Sequence, residues 1–354
     1  MNTSELVGLL PAEHEHALID AITPAMRWDG QTEPAEWQHA ARTRLAGLLG
    51  LAQIEHCRTD PRLTVEYDRY DEKLHAREIR FRFFSEENVS VPCHLLIPAD
   101  AEGPLPVVLC LQGHSTGMHI SLGRPKYPGD EKTICGGDRD FAVRAVRERM
   151  CALTLEQRCM GERGGTPNGP ACQEPALRAL LLGRTMIGER VWDIMRAIDV
   201  LESGFPAEVD TAHITCLGNS GGGTATIYAA ALDPRINIAV PACSVCRYAD
   251  SIAAMAHCAC NYVPGMVLDF DMGELCAMVA PRPLLVVNGR YDPIFPLSGA
   301  EACVAEARRL YEAMGAGDRL HHIIGDGVHR FYADDTWPVL REEIDQILAV
   351  DCGQ

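Results

Sequence analysis

The stretch Cys216–Pro234, CLGNSGGGTATIYAAALDP, places a serine among glycines between two segments of different character. HITCL, just before the glycines, is an apolar run that predicts a buried strand, and GGTATIYAAALDP predicts a helix. Gly218, Ser220 and Gly222 form the G-x-S-x-G pattern, whose glycines permit a sharp strand-to-helix turn that exposes a serine hydroxyl. We interpret Ser220 as a candidate nucleophile, the alternative being a buried serine in a glycine-rich bend. The lysine and spacing of a phosphate-binding P-loop are missing from this stretch.

The segments around this stretch predict repeated units of strand, loop and helix. Two alternating segments, AREIRFRFF and VSVPCHLLIP, predict a β-hairpin that opens the sheet. PVVLCL then begins a series in which predicted strands and helices alternate, through CALTLEQ, GERVWDIMRAIDVLES, HITCLGN, INIAVPAC, PRPLLVVNG, GAEACVAEARRLYEAM and LHHIIGD. Such alternation is typical of an α/β protein with a mostly parallel central sheet and helices on both faces.

The domain organisation follows from a change in periodicity near residue 60. Residues 1–60 show apolar positions at helical spacing, as in EWQHAARTRLAGLLGL, and predict an N-terminal helical extension. We predict that residues 61–354 form one catalytic domain. A segment rich in Gly and Pro at about 158–187 predicts an insertion beside the carboxyl edge of the sheet, where α/β proteins bind ligands.

Charge and cysteine content restrict the classes of partner and compartment. The 354-residue chain carries 32 basic and 49 acidic residues, a formal charge of −17, which argues against nucleic acid or an anionic membrane as the main partner. We expect a small-molecule substrate instead. The 15 cysteines are scattered rather than arranged as a disulfide framework, which favours a reducing compartment. With no basic leader and no long apolar run, we expect a cytoplasmic protein; the oligomeric state is left open.

A serine nucleophile requires a histidine base and an acid that orients it, in the chain order serine, acid, histidine for this type of turn. Asp292 follows the predicted strand PLLVVNG, and His329 lies in a loop after the next predicted strand. The sequence therefore predicts a triad of Ser220, Asp292 and His329. Asp326 and Asp334 are competing acids, but they are too close to His329 in sequence to come from a separate strand.

The reaction also needs donors for the oxyanion that forms when the serine attacks a carbonyl group. The backbone N–H of Gly221 lies at the predicted helix N-terminus, where the helix dipole favours negative charge. We predict that the second donor is the N–H of His114, in the loop after PVVLCL. Its imidazole is expected to pack in the wall of the site.

Several motifs together resemble the α/β-hydrolases, and more narrowly the bacterial acetyl xylan esterase and dienelactone-hydrolase-like branch. They are LQGHSTGMHISLGR, EQRCMGER, GERVWDIMRAIDVLES, GNSGGG and APRPLLVVNGRYDPIFP. The resemblance runs from about Glu66 to the C-terminus. It implies a cofactor-free serine esterase that uses the predicted triad on short acyl esters, often acetyl groups on sugars. Gln112 replaces a histidine common in the family, and Ser220 replaces the cysteine of dienelactone hydrolases proper, which argues against dienelactone chemistry.

Two other functions fit parts of this pattern. A peptidase of the prolyl-oligopeptidase type shares the triad order, although that class usually carries a large extra domain for which this chain has no room. A noncatalytic binding protein with a hydrolase fold is the second alternative, and an intact triad argues against it. The sequence points to no particular substrate-binding residue.

A group of cysteines after the Ser220 helix is the main secondary signal. Cys243-x-x-Cys246 is followed by His257, Cys258 and Cys260, and two nearby cysteine pairs can bind a metal, form a disulfide or simply pack beneath a loop. The C-x-C spacing of the second pair departs from that of common zinc sites. We therefore expect packing and no metal.

Overall fold

A computed structural model of the protein describes residues 10–165 and 169–352. Parts of the predicted regions lie outside these residues: positions 1–9 of the helical extension, 166–168 of the insertion, and 353–354 at the end of the catalytic domain. Within the described chain, no helix combines the length and apolar character needed to cross a bilayer.

The described strands form one nine-stranded sheet in the order β1-β2-β3-β5-β4-β6-β7-β8-β9. The first three strands pair antiparallel, β3 pairs antiparallel with β5, and the remaining pairs from β5 to β9 are parallel. The strands are β1 Thr64–Asp71, β2 Ala76–Glu86, β3 Val89–Pro98, β4 Leu105–Leu111, β5 Cys151–Leu155, β6 Val209–Asn219, β7 Ile236–Ala242, β8 Leu284–Gly289 and β9 Leu320–Gly325.

Helices cover both faces of this sheet and enclose a separate hydrophobic core on each side. The described α-helices are α1 Pro11–Ala21, α2 Pro34–Leu49, α3 Leu51–Glu55, α4 Asp130–Gly137, α5 Phe141–Arg147, α6 Gln173–Leu181, α7 Met186–Gly204, α8 Gly221–Leu232, α9 Met266–Asp269, α10 Met272–Ala277, α11 Leu297–Ala313 and α12 Ala333–Cys352. The predicted α/β class, with its largely parallel sheet, is confirmed by this arrangement.

Strand β4 shows why its sequence is apolar without interruption. Val107 and Leu109 belong to one core, while Val108 and Cys110 belong to the core on the opposite face. All four side chains are buried, because successive residues of a strand point to opposite faces and both faces are covered. The carboxyl ends of the parallel strands then meet at one edge of the sheet.

The edge strand β1 was not predicted. Its sequence TVEYDRYD is mostly exposed and carries charges on both faces, so it lacks the apolar alternation that marks a half-buried strand.

The N-terminal helix α2 packs against the sheet. Its residues Ala41, Leu45 and Leu49 lie in one of the two cores that the sheet and its helices enclose.

Candidate active site

The turn between β6 and α8 holds Ser220 in an uncommon backbone conformation, with φ 56° and ψ −124°. A residue with a side chain rarely adopts this conformation, which costs roughly 1–3 kcal/mol. The turn is anchored from both sides, since the Ser220 N–H donates to the Ala242 carbonyl and the Thr224 N–H to the Ser220 carbonyl, each at 2.8 Å. Ser220 is partly exposed while Asn219 and Gly221 are buried. The turn thus has the strained geometry that the glycine pattern predicts.

Close backbone contacts explain the glycines around Ser220. A Cβ atom on Gly218 would lie 2.4 Å from the Gly222 carbonyl oxygen, and one on Gly222 would lie 2.1 Å from the Leu111 carbonyl oxygen. Neither distance is compatible with a side chain. The glycines therefore let β6 turn sharply into α8 while α8 packs directly on the end of β4.

The predicted acid and base are hydrogen-bonded to each other. Asp292 lies just after β8 and His329 just after β9, and His329 Nδ1 is 2.7 Å from Asp292 Oδ2. The other oxygen, Oδ1, accepts the N–H groups of Ile294 and Phe295 at 2.8 and 3.2 Å. Burial alone would raise the pKa of Asp292, but the hydrogen bond and charge interaction with His329 and these two N–H groups hold the pKa below its ordinary value. An ionised Asp292 orients the imidazole and leaves Nε2 free to face a substrate.

The competing acids lie elsewhere. The side chain of Asp326 is 84% exposed and pairs with Arg290 at 3.7 Å, and Asp334 lies in the first turn of α12.

Two aromatic rings lie beside the base. Phe295 stacks on His329 with ring centroids 5.8 Å apart, and His257 packs edge-on against Phe295 with centroids 5.5 Å apart. Phe295 lies in the motif APRPLLVVNGRYDPIFP and His257 in the cysteine-rich stretch. Neither ring was predicted to lie beside the base, because the two come from separate loops.

The loop after β4 touches the nucleophile turn. A Cβ on Gly113 would lie 2.6 Å from the Asn219 carbonyl oxygen and 2.9 Å from Ser220 Cβ. A Cβ on Gly221 would lie 2.8 Å from His114 Nδ1, so this imidazole packs against the first residue of α8. The structure therefore brings both predicted oxyanion donors, Gly221 and His114, beside Ser220. Their role as donors remains a prediction.

Gln112, which replaces a histidine common in the family, has a structural role. Its Nε2 donates to Ser121 Oγ at 2.6 Å and to the Arg139 carbonyl at 2.8 Å. The side chain is buried and bridges two loops below the site. These hydrogen bonds support the loop after β4.

A cleft of about 960 Å³ adjoins the site. His114 and His257 form part of its wall, and Leu177, Leu180 and Tyr262 supply apolar surface. Burial lowers the pKa of His257, and the neighbouring charge of His114 acts in the same direction. Among the described residues that line the cleft there is no lysine or arginine, and Glu174 is acidic, so the surface disfavours an anionic ligand.

The structure separates the four cysteines that the sequence groups together. Cys243 lies in the triad region, within 4.8 Å of ligand atoms of Asp292 and His329, and burial raises its pKa to about 12. Cys246 donates to the Pro296 carbonyl at 3.5 Å. Cys258 and Cys260 instead lie beside His114 and Cys172. The 14 cysteines whose side chains the structure describes form no disulfide.

Comparison with known proteins identifies related hydrolases. A Bacillus subtilis (strain 168) protein named "Putative hydrolase YtaP" is 28% identical over 234 residues, which are 64% of this chain and 74% of that protein. The 4-O-methyl-glucuronoyl methylesterase 1 of Wolfiporia cocos (strain MD-104) is 32% identical over 170 residues, 41% of each protein. This chain thus spans less than half of the length of the fungal enzyme.

The fold is shared with a solved structure, a "putative acetyl xylan esterase" of Bacteroides fragilis NCTC 9343. The TM-score is 0.78 at 16% sequence identity, and the match covers 94% of this chain and 95% of that chain. This likeness confirms the predicted α/β-hydrolase fold. A model of the abhydrolase family matches residues 15–314. Because this match spans most of the chain, the protein belongs to the abhydrolase family.

Proposed function

We propose that the protein is a serine esterase that removes short acyl groups, acetyl above all, from esters of carbohydrates. The observation that carries this proposal is the 2.7 Å hydrogen bond between His329 Nδ1 and Asp292 Oδ2, at the same sheet edge as the strained Ser220 turn. A buried carboxylate, an oriented imidazole and a serine on a tight turn are the three groups that acyl transfer to serine requires. The named activity of the Bacteroides fragilis structure supports an acetyl substrate.

In the first half of the reaction, His329 Nε2 removes the proton from Ser220 Oγ as the oxygen attacks the ester carbonyl carbon. The carbonyl oxygen becomes an oxyanion, which the N–H groups of Gly221 and His114 stabilise. The bond to the alcohol then breaks, and the alcohol leaves with the proton from His329. The acyl group remains on Ser220.

In the second half, His329 removes a proton from a water molecule as that water attacks the acyl-enzyme. The bond between the acyl carbon and Ser220 Oγ breaks, and Oγ recovers the proton from His329. The carboxylic acid product ionises in neutral water. An acidic protein with a charge of −17 repels this anion, which favours its release.

A second substrate class is favoured by one comparison. The Wolfiporia cocos relative is named a 4-O-methyl-glucuronoyl methylesterase. In a glucuronoyl methyl ester the sugar lies on the acyl side of the bond, whereas in an acetylated sugar it lies on the alcohol side. Both esters are neutral before hydrolysis, which suits a cleft whose described lining has no lysine or arginine.

The test compares Ser220→Ala, Asp292→Asn and Asp326→Asn with the natural protein. We expect the first two changes to lower kcat by roughly 10⁴-fold, since each removes a triad group. Asp326→Asn is the matched control, because its carboxylate is exposed and pairs with Arg290. Initial rates on acetylated xylo-oligosaccharides and on methyl glucuronate are measured side by side.

Several outcomes of this experiment contradict the proposal. Undiminished turnover in Ser220→Ala excludes a serine mechanism, and loss of activity in Asp326→Asn alone moves the acid role to that residue. Cleavage of aminoacyl nitroanilides without ester turnover indicates a peptidase. Failure of a fluorophosphonate probe to label Ser220 indicates a noncatalytic protein. A higher rate on methyl glucuronate than on acetylated xylo-oligosaccharides leaves the proposed triad unchanged but contradicts the proposed acetyl substrate.

A further inference from the structure

Three cysteines and a histidine from separate segments meet at one side of the cleft. The sulfur atoms of Cys172, Cys258 and Cys260 and a ring nitrogen of His114 all lie within 4.8 Å of one another. His114 follows β4, Cys172 precedes α6, and the other two cysteines lie in the loop between β7 and α9. His114 Nε2 lies 3.1 Å from Cys260 Sγ.

The donor set and its spacing match a known kind of metal site. Three thiolates and one imidazole are ligands that hold structural zinc in a tetrahedral arrangement. With zinc–sulfur bonds of about 2.3 Å, tetrahedral geometry places two sulfur ligands about 3.8 Å apart. The observed cluster, with its ligand atoms within 4.8 Å, can reach this geometry through small side-chain rotations.

A buried arginine supplies an independent reason to expect negative charge at the sulfur atoms. Arg190 is 1% exposed, and its guanidinium donates to Cys260 Sγ and Cys172 Sγ, each at 3.3 Å. Its other acceptor is the Arg158 carbonyl oxygen, 3.0 Å from Nη2. Within the described part of the chain, no carboxylate lies at ion-pair distance from this guanidinium.

The cluster can hold neutral thiols, a disulfide or a metal ion, and the charge of Arg190 bears on which of these states is stable. A buried cation needs a compensating anion, and neither neutral thiols nor a disulfide provides one. A zinc ion bound by three thiolates and a neutral imidazole carries a net charge of −1, which Arg190 neutralises. A single thiolate at Cys260 would also balance Arg190, but it makes no use of the other three ligand atoms that lie within 4.8 Å. The metal centre uses all four ligand atoms and balances the buried charge.

We propose that His114, Cys172, Cys258 and Cys260 bind a zinc ion in a closed, four-ligand site. Four protein ligands leave no open coordination position, so the ion is structural and takes no part as a Lewis acid. It joins the loop after β4, the segment before α6 and the loop after β7. The His114 ring packs against Gly221, so the ion also holds the predicted oxyanion loop against the nucleophile turn. The metal site itself does not depend on the proposed esterase activity.

The primary test is the zinc content of the full-length protein, purified under reducing conditions without a metal-binding tag. We expect about one zinc per chain by elemental analysis, and loss of zinc from Cys260→Ala and Cys258→Ala. Cys276→Ala is the matched control, since Cys276 is also a buried thiol but lies in α10, outside the cluster. Zinc-free natural protein, or variants of the cluster that keep their zinc, overturn the proposal.

A second measurement covers the case in which the cysteine variants fail to fold. The natural protein is produced in minimal medium with cobalt in place of zinc, because cobalt reports its ligands and geometry in its absorption spectrum. We expect intense thiolate-to-cobalt charge-transfer bands and the strong visible bands of tetrahedral cobalt. A weak octahedral spectrum, or a disulfide linking Cys172 to Cys258 or Cys260 found by mass spectrometry, contradicts the site.

Discussion

Ser220 carries the conformational strain of the nucleophile turn. Its φ of 56° lies in a region that side chains avoid and glycine tolerates. The hydrogen bond from its N–H to the Ala242 carbonyl at 2.8 Å and the start of α8 keep the turn in this conformation. The strained turn lies at the carboxyl end of β6, at the same edge of the parallel strands as the loop that carries His329.

We expect Ser220→Gly to be more stable than Ser220→Ala by about 1 kcal/mol, although both variants are inactive. Glycine relieves the positive-φ strain of roughly 1–3 kcal/mol, and the greater entropy of its unfolded chain offsets part of that gain. Urea unfolding of the two purified variants measures the difference. A glycine variant that is less stable than the alanine variant shows that the turn is not strained.

At the scale of elements, the contact between α8 and the end of β4 positions the whole site. A Cβ on Gly222 would meet the carbonyl oxygens of Leu111 and Gln112 at 2.1 and 2.7 Å. These oxygens are backbone atoms of β4 and of the loop after it, which carries the predicted oxyanion donor His114. They cannot move without displacing that loop. The helix therefore approaches the strand as closely as the backbone allows.

Gly222→Ala should lower the free energy of unfolding by about 2–3 kcal/mol or prevent folding, because backbone must shift to admit the methyl group. Gly47→Ala is the matched control: Gly47 lies inside α2, and nothing lies within 4 Å of a Cβ there. Alanine favours helix over glycine by up to about 1 kcal/mol, so this variant should be more stable. Thermal unfolding compares the two, and equal effects contradict the proposed contact.

At the scale of the whole molecule, a buried ion-pair network joins distant segments. Arg158, in the loop after β5, pairs with Glu86 at the end of β2 at 2.6 Å and with Asp193 and Glu189 of α7 at 2.8 and 2.9 Å. Burial would raise the pKa of Asp193, but the charges of Arg158 and Arg163 hold it well below its ordinary value. Asp193 thus stabilises the fold above the pKa of an unfolded aspartate, and this stabilisation is lost as pH falls through the lowered value.

Arg158→Ala should lower the free energy of unfolding at pH 8 by about 3–5 kcal/mol, because it leaves three buried carboxylates to share two cations, Arg163 and Arg184. The loss should shrink near pH 5, where those carboxylates take up protons more easily than in the natural protein. Arg178→Ala serves as control, since its pair with Glu174 is exposed and is worth at most about 0.5 kcal/mol. Urea unfolding at both pH values tests this, and a loss independent of pH argues against a charge effect.

The sequence by itself determined the features that arise from local periodicity and chain order. The buried strand, glycine turn and helix around Ser220 follow from residues adjacent in the chain. Asp292 and His329 were predicted because parallel strands bring their carboxyl ends to one edge. Strand β1 was not predicted, because its exposed, charged residues do not alternate with apolar ones.

Only the tertiary structure decided which distant side chains meet. Phe295 stacks on His329, and Cys260 lies with Cys172 and His114 rather than with Cys243. Contacts of this kind join loops from separate strands, and packing rather than spacing sets their distances. Chain order therefore identified the residues of the candidate triad, whereas the cysteine cluster became visible only when the loops were placed in space.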